Sequence, residues 1–515
     1  MSEICRKPHH GSSISRVPGF KKLIALLFIG VVLVLGQRET LAQGTVKGAT
    51  AMAKTFSGLQ TIPVRQIRRG MVGYGLTVIK GTKPERFRVR VVGILHQSFP
   101  KQDLILILAD DPKLKKAGVA AGMSGSPIYF NGKLAGALAY GPTWAKSPVA
   151  MVTPISNMIA TGKRKLRGRN RTILAKRYRW GRGDRSALAR LGLSYPKLHR
   201  LPKPGRLWAA VKIPGGSGGI RPLALPVTVS GVDREGLAMF KKQMKPHGMF
   251  PILGGGSAGG AAVKRFGKQK RFVPGGPIGV QYIRGDIEAT ATGTVTAVVG
   301  DRVLAFGHPF WGYGEHYVPV VGAWIHMLMP SVSSSYKIST PLNVMGTLEQ
   351  DRRPCIVATT KGRAPMIPLT LNIKAKSGVS KKFGVEVFSN RITTPRYLYL
   401  LIRMLMKNAV SDVADVAIKA KVNMKFEGIS DVTFTDYFTS ETGAAYGFSP
   451  MMTRGFRVLN FLLRNAFKRV SLKKMEVDVD LRYVLQKALI YSVKVPRAEV
   501  EPGATVKQIG RASCR

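Results

Sequence analysis

The chain contains few cysteines and few acidic residues, and its most apolar segment is short. Cys5, Cys355 and Cys514 are the three cysteines among 515 residues, too few and too scattered for a disulfide framework or a cysteine-based metal site. The apolar run at residues 23–35 is short for a membrane-spanning helix. The shortage of cysteine argues against the disulfide-rich and cysteine-ligated zinc classes, and the short apolar run fits a signal segment better than a membrane span.

The shortage of acidic residues leaves a strongly basic chain. Its 27 acidic residues accompany 81 basic ones, and the formal net charge is +54. Such a charge favours polyanionic partners, namely an anionic membrane surface, an acidic envelope polymer or nucleic acid. The sequence has no zinc-ligand spacing and no aromatic-interleaved RNA-binding strand, so it predicts no specific nucleic-acid binding. A solvated basic surface without a dedicated partner is the alternative.

The N-terminal segment has the pattern of an export signal. Basic residues precede the apolar run, and small and polar residues follow it, with a plausible cleavage site at residues 40–42. A short apolar stretch with these flanks is typical of a signal peptide, and an uncleaved anchor is the alternative. We therefore expect an exported bacterial protein, periplasmic or associated with the envelope.

The rest of the chain predicts a mainly β protein. Its 57 glycines and 31 prolines separate short β-prone runs, and residues 87–92 alternate apolar and basic side chains as a half-buried strand does. Asn131-Gly132 stands between two further β-prone runs and predicts a tight hairpin. A second β-rich block begins near Ile278, and helices are predicted near residues 397–407 and 455–467.

These patterns divide the chain into segments. Residues 163–206 hold sixteen basic residues against one acid, Asp184, and we expect that stretch to be exposed and mobile, because buried cations need partners. Residues 508–515 are similar to read-through translation of a sequencing adapter, and we expect the C-terminal region to be truncated there. The predicted segments are a signal peptide or anchor (1–43), a linker (44–62), a first β-rich block (63–160), a basic and glycine-rich connector (161–275), a second β-rich block (276–375), a C-terminal α+β region (376–507) and the adapter-like tail (508–515).

The stretch Gly122-Met123-Ser124-Gly125-Ser126-Pro127 predicts a nucleophile turn. Glycines on both sides of Ser124 allow the backbone to fold sharply and expose the hydroxyl. The N–H groups of Gly122 and Ser124 can converge on a developing oxyanion. Glycine and serine also fill ordinary turns, so these six residues alone leave a structural hairpin loop as the alternative.

The surroundings of this stretch resemble the SpoIVB-type serine peptidases, which are sporulation signalling proteases with a trypsin-like fold. The resemblance covers roughly residues 63–160 and 276–360. It implies a trypsin-like double β-barrel peptidase core assembled from two chain segments, a serine half and a histidine half. The stretches that carry it are Asp111-Pro112-Lys113-Leu114, residues 122–128 and residues 131–137 in the serine half, and residues 292–296, 304–309 and 345–348 in the histidine half.

The resemblance also implies the site residues. Ser124 would be the nucleophile, His308 the general base and Asp111 the acid that orients the base, with no metal or organic cofactor. His96 competes with His308, Asp110 is the neighbouring alternative to Asp111, and Asp111 before a proline also fits a helix N-cap. The sporulation enzymes carry the histidine half first, whereas this chain carries the serine half first. Geometry rather than chain order defines a triad.

Together these features predict an exported serine endopeptidase that cleaves protein or peptide substrates through an acyl-enzyme, in envelope signalling or processing. The alternative is a catalytically inactive peptidase fold that serves as a binding or scaffold protein of the envelope. The reversed order of the halves and the large remainder of the chain motivate that alternative.

Overall fold

The computed structural model describes most of the chain beyond the N-terminal segment. The predicted export signal and the basic stretch from residue 167 onward lie outside the described residues. Contacts separate residues 1–58 from a compact unit at residues 59–515, which holds nearly all of the described residues. The described residues are 56, 58–142, 147–166, 220–256, 260–375, 378, 380–410, 414–441, 443, 449–465, 467–485, 488–494 and 509–514.

Strands dominate the described residues. The strands are β1 (Val72–Thr77), β2 (Glu85–Phe99), β3 (Gln102–Leu108), β4 (Pro127–Phe130), β5 (Lys133–Pro142), β6 (Val149–Pro154), β7 (Ile220–Pro222), β8 (Leu225–Ser230), β9 (Met249–Leu253), β10 (Pro277–Gly285), β11 (Glu288–Val299), β12 (Arg302–Ala305), β13 (Gly314–Met329), β14 (Tyr336–Arg352), β15 (Cys355–Thr359), β16 (Met366–Ala375), β17 (Ser380–Phe388), β18 (Val416–Glu427), β19 (Val432–Ser440), β20 (Ser471–Arg482), β21 (Ala488–Lys494) and β22 (Ile509–Cys514). The α-helices are α1 (Ile155–Gly162), α2 (Arg234–Met244), α3 (Ala261–Phe266), α4 (Thr394–Ala409) and α5 (Ser449–Arg464), and 3₁₀ turns lie at Val64–Gln66, Pro112–Leu114 and Lys245–His247.

The first six strands close into an antiparallel barrel. Its order is β1-β2-β3-β6-β5-β4, and β4 pairs back onto β1. On β2 the side chains of Phe87, Val89 and Val91 are buried inside the barrel while the intervening arginines face outward, because successive side chains of a strand point to opposite faces. Asn131 and Gly132 both have positive φ and form the predicted hairpin between β4 and β5.

A second six-stranded antiparallel barrel follows. Its order is β10-β13-β14-β15-β12-β11, and β10 pairs with β11 to close it. Closure removes free strand edges from both barrels. The mainly β prediction is confirmed, and two closed barrels are what the predicted trypsin-like architecture requires.

The remaining elements extend the second sheet. β17 pairs with β10 and leads through β16 and β20 to β18 and β19, while α4 buries an apolar face that includes Leu398, Leu401 and Leu405. Pro395 occupies the first turn of α4, where its missing N–H costs no hydrogen bond. This part of the chain is the α+β region that the sequence predicts.

The loop before β4 lies at the junction of the two barrels. Ala121 pairs with Tyr336 of β14 in an isolated bridge, and Gly81 pairs with Ile325 of β13. The second barrel therefore contacts residues 120–126 directly, and these residues include the predicted nucleophile.

Candidate active site

The serine turn is tightly folded around Ser124. Gly122 and Gly125 have φ of +88° and +95°, a region that glycine enters without steric cost. The Met123 N–H donates to the Ala120 carbonyl over 3.0 Å and the Ser126 N–H donates to the Met123 carbonyl over 2.9 Å. Ser124 is fully buried, and its Oγ has no hydrogen-bond partner among the described residues. The local sequence thus produces the predicted sharp turn.

Strand β11 of the second barrel holds this turn from outside. Thr294 donates its N–H to the Ser124 carbonyl and its Oγ1–H to the Gly122 carbonyl, both over 2.9 Å. Thr296 Oγ1 donates to the Gly125 carbonyl over 2.8 Å. Within the described part of the chain, the N–H groups of Gly122 and Ser124 donate no hydrogen bond to the protein. Those two amides are the predicted oxyanion donors.

His308 follows β12 in a loop with unusual backbone geometry. Phe306 and Gly307 both have φ of +70°, and the Gly307 carbonyl accepts a bond of 2.6 Å from Thr153 Oγ1 of the first barrel. His308 Nδ1 lies 2.9 Å from the Pro309 carbonyl oxygen. A carbonyl can only accept, so Nδ1 carries the proton and Nε2 carries a lone pair. That is the tautomer that a general base needs.

The serine turn and the histidine loop meet at Leu138 of β5. The Gly125 N–H, one residue after Ser124, donates to the Leu138 carbonyl over 2.7 Å. A Cβ added at Gly307, one residue before His308, would lie 3.1 Å from the same oxygen. The fold therefore brings the neighbourhoods of Ser124 and His308 together across 184 residues of chain, counting from 124 to 308.

Burial keeps His308 neutral. The imidazole is fully buried and lies beside the rings of Tyr140 and Phe306, with centroid separations of 6.3 and 6.2 Å. Desolvation lowers the pKa of His308 to about 4, against a small opposing effect of the Pro309 carbonyl. At neutral pH the ring is therefore uncharged, and the same burial makes it a weaker base than an exposed histidine.

A small cavity lies beside the histidine loop. Tyr140, Pro309 and Gly312 line it, together with Phe99 and Arg353. The Arg353 guanidinium lies 5.5 Å from the centre of the Phe99 ring, a distance at which a cation is attracted to an aromatic face. Neither Ser124 nor His308 lines this mostly apolar cavity, which adjoins the site through Pro309.

The structure does not join Asp111 to His308. One Asp111 oxygen accepts the Arg88 N–H over 2.8 Å and the other accepts the Lys113 N–H over 2.9 Å. Asp111 is the N-cap of the 3₁₀ turn at Pro112–Leu114, which is the capping role that a residue before a proline also fits. The place of a triad acid at Nδ1 is taken by the Pro309 carbonyl.

Asp110 and His96 also lie apart from His308. Asp110 is exposed and forms an ion pair of 3.2 Å with Arg88. His96 is exposed on the β2–β3 hairpin, with its Nδ1 3.5 Å from Asp103. Of the two candidate bases, the structure places only His308 beside the serine turn.

Asp351 is a site residue that the sequence pattern did not indicate. This fully buried carboxylate on β14 accepts the backbone N–H groups of Phe310, Trp311 and Gly312 over 2.7, 2.6 and 2.7 Å. Burial raises the pKa of Asp351 to about 6, although the four backbone bonds at residues 310–313 oppose that rise. Asp351 thereby holds the loop that carries His308. The one available signal was an aspartate inside a strand, where this residue is uncommon.

The described residues include neither a metal-binding cluster nor a disulfide. No group of three histidine, cysteine, aspartate or glutamate side chains in the described ranges could hold a metal ion. Cys355, which is described with its side chain, is a free and buried thiol, and burial raises its pKa.

The serine turn and the loop that carries the neutral His308 thus meet where the two barrels pack together. Residues 39–141 match the family described as SpoIVB peptidase S55, so this part of the chain is similar to the SpoIVB-type serine peptidases. The match covers about a fifth of the 515 residues and includes Ser124 and Asp111 but not His308. No curated protein and no solved structure matches the chain.

Proposed function

We propose that the chain is a serine endopeptidase in which Ser124 is the nucleophile and His308 the general base. The observation that carries this proposal is the meeting of the serine turn and the histidine loop at the Leu138 carbonyl. The family match supports a peptidase, which implies protein or peptide substrates.

The chemistry follows from the positions of these groups. Ser124 Oγ would attack the scissile carbonyl while His308 Nε2 takes its proton, and the N–H groups of Gly122 and Ser124 would receive the oxyanion. The imidazolium then gives its proton to the leaving amine, an acyl-enzyme remains, and water releases the product. The Pro309 carbonyl fixes the histidine tautomer but stabilises the imidazolium less than a carboxylate does. We therefore expect slower turnover than a full triad gives.

A fluorophosphonate probe tests this assignment. The folded protein should be labelled, Ser124→Ala should not, and His308→Ala should lose most of the labelling rate, because members of one catalytic unit act together. Ser126→Ala is the matched control, since Ser126 is also fully buried and its Oγ likewise has no partner among the described residues. It should be labelled like the unmodified protein. Equal labelling of Ser124→Ala would remove Ser124 from the mechanism.

A catalytically inactive binding or scaffold protein of the envelope is the second candidate. The complete burial of both Ser124 and His308 favours it, because a substrate carbonyl must reach both groups. Folded protein that is never labelled, at any probe concentration or pH, would support this candidate over the peptidase.

We further propose that the protein is exported and associates peripherally with an anionic envelope surface. The net charge of +54 supports this proposal, because each basic residue near an anionic membrane contributes about 1 kcal/mol. Among the described residues, no helix is long and apolar enough to cross a membrane.

Cell fractionation tests this association. Protein in the membrane pellet should be released by 1 M salt, at which the screening length falls to about 3 Å. Retention through the wash would indicate that residues 23–35 remain as an anchor. Fully soluble protein at low salt would mean that the charge is a solvated surface.

A further inference from the structure

Lys337 is a fully buried cation next to the serine turn. It lies on β14 with no exposed side-chain surface, and among the described residues no carboxylate lies within ion-pair distance of its ammonium. Burial lowers the pKa of Lys337 to about 7. A lysine buried without a counter-ion destabilises a fold, so its position calls for a role other than stability.

The contacts of Lys337 lead to the two peptide groups that flank Gly122. Its backbone N–H donates to the Ala121 carbonyl over 3.0 Å. Its Nζ lies 2.8 Å from Thr77 Oγ1 and 3.3 Å from Thr294 Oγ1, and Thr294 Oγ1 donates to the Gly122 carbonyl. Lys337 therefore holds the carbonyl before Gly122 directly and the carbonyl of Gly122 through one hydroxyl.

The ammonium also fixes the direction of this chain of hydrogen bonds. When Lys337 is protonated its ammonium can only donate, so Thr294 Oγ1 then accepts from Lys337 and must use its own proton for the Gly122 carbonyl. A planar trans peptide points its N–H opposite to its C=O. Fixing the Ala121 carbonyl therefore fixes the direction of the Gly122 N–H, one of the two predicted oxyanion donors, through a backbone bond that every Lys337 variant keeps.

We propose that the Lys337 side chain is a positioning residue of the oxyanion hole, which holds the Gly122 carbonyl through Thr294 and places a positive charge beside the developing oxyanion. This inference rests on the proposed peptidase function. The alternative role, a lysine base that takes the serine proton, is less favoured, because the hydrogen bonds of Lys337 Nζ go to Thr77 and Thr294. The contacts of the ammonium run to the Gly122 peptide rather than to the nucleophile.

The test is the kinetics of fluorophosphonate labelling, separated into probe affinity and the maximal labelling rate. The phosphonyl oxygen occupies the oxyanion position, so Lys337→Met and Thr294→Val should each lower the maximal rate tenfold or more with little change in affinity. Because both act through one chain of hydrogen bonds, the double variant should be about as slow as either single one. Thr294→Ser keeps the hydroxyl and should retain the rate.

Matched controls separate positioning from folding. Lys361→Met makes the same change at a largely exposed lysine and should leave both parameters unchanged. Methionine is similar in length to lysine and removes a buried charge, so Lys337→Met should melt no lower than the unmodified protein. If that variant does not fold, Thr294→Val and Thr294→Ser still decide the question.

Three results would overturn the inference or its foundation. An unchanged labelling rate in folded Lys337→Met, or in folded Thr294→Val, would make the contacts merely structural. Complete loss in Lys337→Met with full activity in Thr294→Val would make the lysine a base. Absence of labelling in the unmodified protein would refute the peptidase function itself.

Discussion

Asp351 holds the loop that carries His308 through hydrogen bonds to backbone N–H groups of that loop. Replacing one oxygen of Asp351 by an amide NH₂ would put a donor against the donors at residues 310–312. We expect Asp351→Asn to lower the free energy of unfolding by about 1–3 kcal/mol and to slow labelling of Ser124 by displacing His308. Denaturation and probe kinetics measure both effects. Asp110→Asn, at an exposed carboxylate, is the control. Normal labelling in Asp351→Asn would show that Asp351 does not influence the candidate site.

Asp111 gives the opposite expectation. Because both its oxygens accept bonds from other backbone groups, Asp111→Ala should cost about 1 kcal/mol of stability through the lost cap while the labelling rate stays within a factor of two. Asp111→Asn retains a capping oxygen and should be nearly as stable as the unmodified protein. A loss of labelling comparable to that of Ser124→Ala would restore Asp111 to the triad.

Local and distant residues differed in how far the sequence could predict them. The serine turn could be predicted because its geometry depends on adjacent glycines. Asp351 and Lys337 could not, because their roles depend on contacts with chain about 40 and more than 200 residues away. Nothing within a few residues of either signals such a contact.

Among the elements, the first barrel was the easier to predict. The alternating pattern of β2 and the Asn131-Gly132 turn are local signals, and the structure confirms both. The long strands β13 and β14 were not predicted, since Pro319, Gly322 and Pro341 argue against strand interiors. Their pairing is interrupted by several register shifts, and such bulges accommodate these residues.

A glycine comparison tests the contact between the serine turn and β11. A Cβ added at Gly125 would lie 1.9 Å from the Thr294 carbonyl oxygen, whereas one at Gly132 would meet nothing within 4 Å. Both positions have positive φ, so each substitution carries similar backbone strain of about 1 kcal/mol. We expect Gly132→Ala to lose about that amount and Gly125→Ala to lose several-fold more, together with probe labelling. Equal losses in chemical denaturation would show that the barrels are not packed as described.

For the whole molecule, the fold prediction depended on the resemblance to the SpoIVB-type peptidases rather than on composition. Composition predicted β structure, but only the two family-like segments implied two barrels. The described residues close both barrels and join them in the reversed order. The extension of the second sheet through β16, β20, β18 and β19 could not be predicted, because β16 and β20 pair in parallel across about 100 residues.

Buried histidines make the stability of the whole molecule depend on pH. Burial lowers the pKa of His308 and His247 to about 4 and that of His316 to about 3. The unfolded chain binds these protons below about 6.5 and the folded one does not, so the free energy of unfolding falls as pH drops from 6.5 towards 4. The pKa of Asp351 is raised to about 6, so at this group the folded chain binds a proton that the unfolded chain does not. This cancels the contribution of one of the three histidines. We expect a net slope of about 3 kcal/mol per pH unit.

Denaturant titrations at several pH values measure this slope. His316→Leu should flatten it by about 1.4 kcal/mol per pH unit, because His316 lies among the aromatic side chains of Trp311, Tyr313 and Phe388. A flat stability curve between pH 4 and 6.5 would contradict the burial of these histidines.

The hydrogen bonds from Thr294 and Thr296 to the serine turn span 172 and 171 residues of sequence. During synthesis, Ser124 leaves the ribosome well before either threonine exists, and at 5–20 residues per second the delay is roughly 10 to 30 s. A nascent chain therefore contains Ser124 without the strand that holds its turn. The order of the two halves thus delays completion of the candidate site until more than half of the 515 residues have been made.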